Sequence, residues 1–241
     1  MAERIRIQKA IANAGLMSRR KAEEAVELGR VRLDGKTTRL GDRVDVENQV
    51  LTLDGVPLPV NPEIETHLLY KPVGVISTAA DPGGRKTVVD LIPSEKRLYP
   101  VGRLDADSEG LILISNDGDL TNRITHPRYG ITKKYLVLVD GVPSTSKLRR
   151  LVSGVELEDG AAQALSARLV DSSDGRALVE MVMVEGRNRE VRRMLASIGH
   201  ETVRLVRTAI GPIIDQDLQP GESRVLLATE VRDLLESGNP T

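Results

Sequence analysis

Hydrophobic positions divide the chain into two stretches of different rhythm. Ile7, Ile11 and Ala14 share one face of a predicted short helix over 4–15, closed by Gly15. Ser18 is placed to cap a second helix from Arg19 to Leu28, ended by Gly29. Val31 to Leu33 alternate as a strand, turn at Asp34-Gly35, and continue as strand towards Val46. Val50 to Leu53, Asp54-Gly55 and Val56 predict another hairpin. Residues 1–60 therefore read as a small two-helix module with short strands. Pro57, Pro59 and Pro62, with Asn61, Glu63 and Glu65 between and after them, mark a polar linker over 61–66.

From 67 to 241 strands dominate. His67 to Tyr70 and Val75-Ile76 predict strands on either side of Lys71-Pro72-Val73-Gly74, and Asp81 to Gly84 predicts a loop. Leu98 to Val101, the apolar run Leu111 to Ser115, Tyr135 to Val139, Leu165 to Val170, Ala177 to Val184 and Thr202 to Ile210 predict further strands. Helices are expected at 117–125, 144–151, 190–198 and 229–237. No steady alternation of strand and helix is present, so the expectation is an α+β fold with a mixed, mainly antiparallel sheet. Neither internal repeats nor low-complexity segments interrupt the pattern.

Composition narrows the chemistry. The 241 residues include no Cys, no Phe and no Trp, and only four Tyr. The core must be built from Leu, Ile, Val, Ala and Met, and neither a disulfide nor a thiolate metal site can form. His67, His126 and His200 match no zinc spacing. Net charge is −1, but the cations cluster. Residues 1–39 carry ten Lys/Arg against five acids, 123–134 carry four and no acid, and 185–207 carry six Arg against three Glu. Such segments form either separate solvated faces or one basic face for nucleic acid. No apolar run approaches the roughly 18 residues of a membrane span, and the first residues lack a signal-peptide core. A cytoplasmic protein without membrane attachment is expected.

Three ligand-loop patterns fail on spacing. Gly-x-Gly-x-x-Gly is absent, and Arg85 separates Gly84 from Lys86 in the only stretch resembling a phosphate loop. The acids of 105–110 suggest a calcium loop, but its twelfth position is Asn116. The segment Gly102 to Leu111, with three acids and Arg103 between two apolar strands, reads either as a surface turn or as a loop placing a carboxylate in a cleft.

The string GRLDADSEGLILISNDGDLTNRITHP at 102–127 closely resembles the catalytic signature of pseudouridine synthases, specifically the RsuA/RluB/RluE/RluF group that modifies ribosomal RNA. KPVGVIST at 71–78, TKKYLV at 132–137 and EGRNREVRRMLASIGH at 185–200 follow in the order of that family. SRRKAEEAVELGRVRLDG at 18–35 resembles an S-four type (alpha-L) RNA-binding domain. The resemblance implies a catalytic domain with a central cleft over 67–241, behind an RNA-binding domain over 1–60. It also implies roles: Asp105 as the essential aspartate, Tyr135 as the ring stacking on the target uracil, and Arg192 as the basic residue that pairs with the aspartate. Arg103 and Arg187 would contact the RNA around a flipped-out nucleotide, while Arg19, Arg20, Lys21 and Arg32 would hold phosphates. Lys71 and the Gly74 turn would shape the cleft, and His126 would be structural.

The implied reaction exchanges a nitrogen–ribose bond for a carbon–ribose bond within one nucleotide, so no cofactor and no metal is expected. It needs a carboxylate acting as nucleophile or base, and a ring on which the extruded base can rest. The expected partner is structured ribosomal RNA, free or in an assembly intermediate, acted on by a monomer. Large-subunit (23S) RNA is the leading substrate. The alternatives are small-subunit RNA, or a non-catalytic RNA-binding assembly factor. Two departures from the family pattern stand out: Arg189-Glu190 where His-Gln is common, and Tyr70 where Asn is common before Lys-Pro.

Overall fold

The computed structural model describes residues 4–46, 48–58 and 64–238. The chain divides into two compact units, Met1–Glu65 with Ser94–Arg97, and Thr66–Pro93 with Leu98–Thr241. Residues 61–63 of the expected linker, and Pro59 ahead of it, lie outside the described residues.

The first unit contains β1 (Ile5–Arg6), α1 (Ile7–Asn13), α2 (Arg19–Glu27), β2 (Val31–Leu33), β3 (Lys36–Thr37), β4 (Arg43–Val44), β5 (Leu51–Leu53) and β6 (Val56–Pro57). The expected first helix begins later than its periodicity suggests. Ile5 pairs with Val44 as a short strand, and the Ile7 amide donates to Asp42 O at 3.1 Å, so the backbone bends into helix only at Ile7. Ser18 caps α2 as expected, its Oγ accepting from the Lys21 amide at 3.3 Å. Ala22, Ala25 and Val26 turn that helix onto Ile7, Ile11, Val31, Val44 and Leu51, leaving Arg19, Arg20 and Lys21 outward. Both hairpins form at their Asp-Gly turns, where Asp34 and Asp54 adopt left-handed backbone that Asp tolerates.

The second unit is built on β7 (Thr66–Lys71), β8 (Tyr99–Val101), β9 (Glu109–Ser115), α3 (Gly118–Thr125), β10 (Lys133–Asp140), α4 (Thr145–Ser153), β11 (Val155–Leu157), β12 (Gly160–Ala162), β13 (Ser166–Ser173), β14 (Arg176–Met183), α5 (Glu190–Ser197), β15 (Thr202–Ile210), β16 (Ile213–Ile214), β17 (Ser223–Val225) and α6 (Ala228–Glu236). Its main sheet runs β13-β14-β10-β15-β9-β7-β17, with β16 attached to β15 and β8 to β9. Every pairing is antiparallel except β15 with β9, which run parallel over Val206↔Glu109 and Arg207↔Gly110. This two-residue seam joins the halves of the sheet. The mixed, mainly antiparallel fold expected from the pattern is the fold observed.

Strand β9 explains why its apolar run is continuous rather than alternating. Leu111 and Leu113 pack with Leu120, Ile124, Ile131 and Leu234 on one face, while Ile112 and Ile114 pack with Val137, Val179, Met194 and Leu195 on the other. A strand covered on both faces buries every side chain, each worth about 1.5–3 kcal/mol. The expected strand at Val75-Ile76 reduces to one bridge, Ile76↔Thr87. Gly74 takes φ +88° and donates to Ala106 O at 2.7 Å, which ties this segment to a loop instead of a sheet edge.

Candidate active site

The seam opens into a cavity of about 120 Å³ whose walls include Arg103, Asp105, Tyr135, Arg187, Arg189 and Arg192. Four separate segments supply them. Arg103 and Asp105 come from the loop between β8 and β9, Tyr135 from β10, Arg187 and Arg189 from the turn before α5, and Arg192 from the first turn of α5. The fold thus brings together Arg103, Asp105, Tyr135, Arg187 and Arg192, the second-unit residues for which the resemblance implied catalytic or RNA-binding roles.

The Asp105 loop is fastened on several sides. The Ser108 amide donates to Asp105 O at 3.0 Å, closing a tight turn on the aspartate. Ser77 Oγ lies 2.7 Å from Leu104 O and 3.1 Å from the Leu104 amide. Lys71, fully buried, donates Nζ to Ser108 O at 2.7 Å and to Pro72 O at 3.0 Å. Burial pushes the Lys71 ammonium down to about 8, while Asp105, Asp107 and Glu109 pull in the opposite direction. The KPVG segment therefore supports the carboxylate loop from below, in keeping with the cleft-shaping role expected for Lys71 and Gly74.

A second arm grips the loop from α5. Arg189 holds Asp107 bidentately, at 3.1 and 2.9 Å, and Arg192 donates to Asp107 O at 2.9 Å and Ser108 Oγ at 3.2 Å. The Arg189 hydrogen bond, chiefly, holds the Asp107 carboxyl below its ordinary range. Among the described residues Arg192 pairs with Asp107 and Ser108 and not with Asp105, the partner that the resemblance implied, so its hold on the aspartate is through the loop backbone and the neighbouring carboxylate. Arg189 itself sits at φ +48°, a left-handed backbone at the start of α5 that turns its side chain across the cleft. Sequence reasoning noted Arg189 only as a departure from the family pattern. Its fork–fork geometry with Asp107 depends on a contact across 82 positions, which no local signal announces.

Arg187 lines the cavity but its guanidinium is engaged by protein groups: Glu190 at 3.0 Å, Ala161 O at 2.6 Å and Asp159 at 3.4 Å. These bonds pin the turn before α5 to the β11–β12 hairpin, and Arg193 adds two bonds to Asp159 at 2.7 and 3.0 Å. Tyr135 is almost wholly buried, paired across the sheet with Met181 and Arg207. Tyr135 and Asp105 both line the cavity. Tyr70, the other departure, lies near Glu109 and Arg204, whose ion pair spans 2.5 Å beside the seam.

Behind the cavity, Lys133 and Arg207 are buried too. Lys133 donates to Ile124 O, Ile131 O and Val184 O at 2.9, 2.8 and 3.2 Å, and burial brings it down to about 8, with Arg207 adding to the effect. Arg207 Nε donates to Leu111 O at 2.6 Å.

In the first unit, Arg4, Arg6, Lys9, Arg19 and Arg43 converge on one groove. Arg20, Lys21 and Arg32 are exposed but stand outside it. The sequence thus located the basic helix and missed the contribution of β1 and β4, whose pairing brings Arg4, Arg6 and Arg43 alongside Arg19. Among the described residues, no group of three or more His, Cys, Asp or Glu is placed to hold a metal ion, and no helix is long and apolar enough to cross a membrane.

The RNA pseudouridylate synthase model matches residues 65–197 and the S4 domain model residues 5–50. The chain is 42% identical over 233 residues to ribosomal large subunit pseudouridine synthase B of Bacillus subtilis, covering 95% of each. It is 40% identical to the protein of that name in Vibrio cholerae, covering 90% of this chain and 70% of the relative. A crystal structure of a pseudouridylate synthase superposes with a TM-score of 0.68 at 28% identity, covering 95% of this chain and 99% of the other. The chain belongs to the RNA pseudouridylate synthase family, and it carries an S4 domain ahead of the synthase domain.

Proposed function

We propose that this pseudouridine synthase acts on a uridine of large-subunit ribosomal RNA and that Asp105 is its catalytic carboxylate. The observation that carries the catalytic assignment is the placement of Asp105 on the cavity wall with Tyr135, on a loop fastened by Lys71, Ser77, Arg189 and Arg192. The substrate assignment draws on the large-subunit synthases of B. subtilis and V. cholerae, similar along most of this chain.

In this reading the target uridine leaves its stack, at a cost of a few kcal/mol, and its ring rests on Tyr135. The bond between uracil N1 and ribose C1′ breaks, the base turns, and C5 bonds to C1′. The C5 proton leaves and N1 gains a proton, so atoms and charge balance within one nucleotide. Asp105 serves as nucleophile or base in that exchange, and either role needs its ionised form. The first unit anchors structured RNA through phosphates with Arg19, Arg20, Lys21 and Arg32, while Arg103 faces the nucleotides around the target and Arg187, its guanidinium held by Glu190, Asp159 and Ala161, shapes the rim beside them. The protein works in the cytoplasm as a monomer, on free RNA or an assembly intermediate in which the strand is still accessible.

Tritium release from RNA labelled at uridine C5 tests both parts. Wild-type protein should release label from large-subunit RNA of cells lacking the enzyme, and Asp105→Asn should release none while binding the RNA within about twofold. Full turnover by Asp105→Asn removes the aspartate from the mechanism. Release only from small-subunit RNA overturns the substrate assignment, and no release from any ribosomal RNA favours a non-catalytic binder.

A further inference from the structure

The first turn of α5 is tied to a hairpin that stands off the cavity. Leu157 pairs with Gly160, so Glu158 and Asp159 form the turn of the β11–β12 hairpin. Both arms of the Arg193 guanidinium reach the Asp159 carboxylate, at 2.7 and 3.0 Å. Arg187 reaches the same residue, donating to its backbone carbonyl at 3.2 Å and its carboxylate at 3.4 Å. Chiefly the Arg193 bonds hold the Asp159 carboxyl below its ordinary range. Arg187 precedes α5 and Arg193 lies within it, so one carboxylate spans the bend where turn becomes helix. Asp159 does not line the cavity.

The same bend carries the grip on the Asp105 loop. Successive helical residues project about 100° apart, so Arg192 faces Asp107 and Ser108 while Arg193 faces the hairpin. Arg189, at φ +48°, occupies backbone that a residue with a Cβ rarely adopts. Such a conformation persists only where its surroundings fix it. Three fixings are in place. The Arg193 amide donates to Arg189 O at 3.0 Å. Buried Glu190 accepts from the Arg187 amide at 3.1 Å and from its Nε at 3.0 Å. Asp159 ties both flanking arginines to the hairpin.

We propose that Asp159 is a positioning residue of the synthase: through Arg187 and Arg193 it fixes the bend at Arg189, and with it the placement of the Asp105 loop. The proposal rests on the synthase reading and extends it to a residue outside the cavity. An exposed ion pair by itself contributes little. Asp159 differs from that case in two ways. Its fork–fork pairing with Arg193 fixes an orientation as well as a distance. Its partners are partly buried and belong to a continuous set of bonds that runs from Asp159 through the bend to Asp107. Loosening the hairpin end of that set lets the Arg189 fork drift, and the aspartate loop drifts with it. Misplacing a reacting group by about 1 Å is enough to cost about a hundredfold in rate.

The test uses full-length wild type, Asp159→Asn, Arg193→Ala and the double variant, with large-subunit RNA from cells lacking the enzyme as substrate. Asp159→Asn keeps the size of the side chain and loses its charge. At a temperature where circular dichroism shows every variant folded, its kcat for tritium release should fall about ten- to a hundredfold, with KM within about twofold. The double variant should fall no further than the slower single variant, because both substitutions cut one connection. Wild-type kcat in Asp159→Asn overturns the proposal, as does a raised KM with kcat retained, or losses in kcat that multiply in the double variant. Hydrogen exchange of the RNA-free proteins gives a readout independent of turnover. Amides of 185–193 and 105–110 should exchange about threefold faster or more in Asp159→Asn, with those of β13 and β14 unchanged. Faster exchange confined to the hairpin overturns the proposal. Wild-type protein that binds the RNA without releasing tritium sinks the synthase reading and leaves the exchange comparison intact.

Discussion

Gly110 stands at the two-residue seam on which the cleft depends, and Gly110→Ala tests that dependence directly. Its φ of +106° is one that residues with a Cβ rarely adopt. A Cβ added there would lie 2.3 Å from Arg207 O, 2.6 Å from Arg207 N and 2.9 Å from Arg207 C, all backbone atoms of β15. Relief requires β9 and β15 to move apart by about an ångström, since β-carbon contacts below 3.0 Å are essentially never observed. Three losses follow. The unfavourable φ costs about 1–2 kcal/mol, overpacking about 1–3, and the buried bond from Arg207 to Leu111 O about 1.5–3. With partial relaxation, a total of about 4–6 kcal/mol is expected, a large share of the 5–15 kcal/mol that holds a typical domain. Urea unfolding followed by circular dichroism measures it. At a slope of about 2 kcal/mol per molar, the midpoint should fall by 2 M or more, and tritium release should fall with it even where the protein remains folded. A variant losing less than about 1.5 kcal/mol with full activity would refute the reasoning, because the seam would then tolerate separation.

Two further predictions concern Tyr135 and the buried lysines. Tyr135→Phe keeps a ring on the cavity wall and should retain much of the turnover, whereas Tyr135→Ala removes the platform and should cost at least tenfold in kcat/KM; full activity in both variants removes the stacking role. Lys71 and Lys133 have folded pKa values of about 8, below the ordinary 10.5. Below pH 8 both are charged in either state and their burial penalty is fully present. Between pH 8 and 10.5 the unfolded chain holds protons that the folded protein has released, so stability should rise with pH across that window. Each lysine contributes up to about 3 kcal/mol at its full shift. The unfolding free energy of wild type, measured from pH 7 to 10, should therefore rise relative to that of Lys133→Met above pH 8, and parallel curves would rule out the depressed lysine.

Much of the molecule is written in local signals. Apolar alternation, the Ser18 cap, the Asp-Gly turns and the unbroken run of β9 place most strands and helices within a few residues, because each reflects the backbone of its own segment. The late start of the first helix and the loss of the strand at Val75-Ile76 were not legible. Both are decided by pairing with remote residues, Val44 in one case and Ala106 in the other. Strands β11, β12, β16 and β17 were missed for a related reason: they are two or three residues long, and β17 exists because it adds to the edge of β7.

The same division runs through the site. By itself, the sequence set Asp105, Tyr135 and the arginines near 190 within motifs whose order resembles that of one family. It also determined that the core is aliphatic and that few rings are available for stacking. Only the tertiary structure decided that Arg189 and Arg192 grip the aspartate loop through Asp107 and Ser108, that Lys71 supports it from below, and that Arg187 and Arg193 meet at Asp159. Hydrogen bonds between residues 37 to 85 positions apart depend on how the β9–β15 seam brings four segments to one opening. A motif shows which residue types are present. The geometry of packed backbone determines which of them meet.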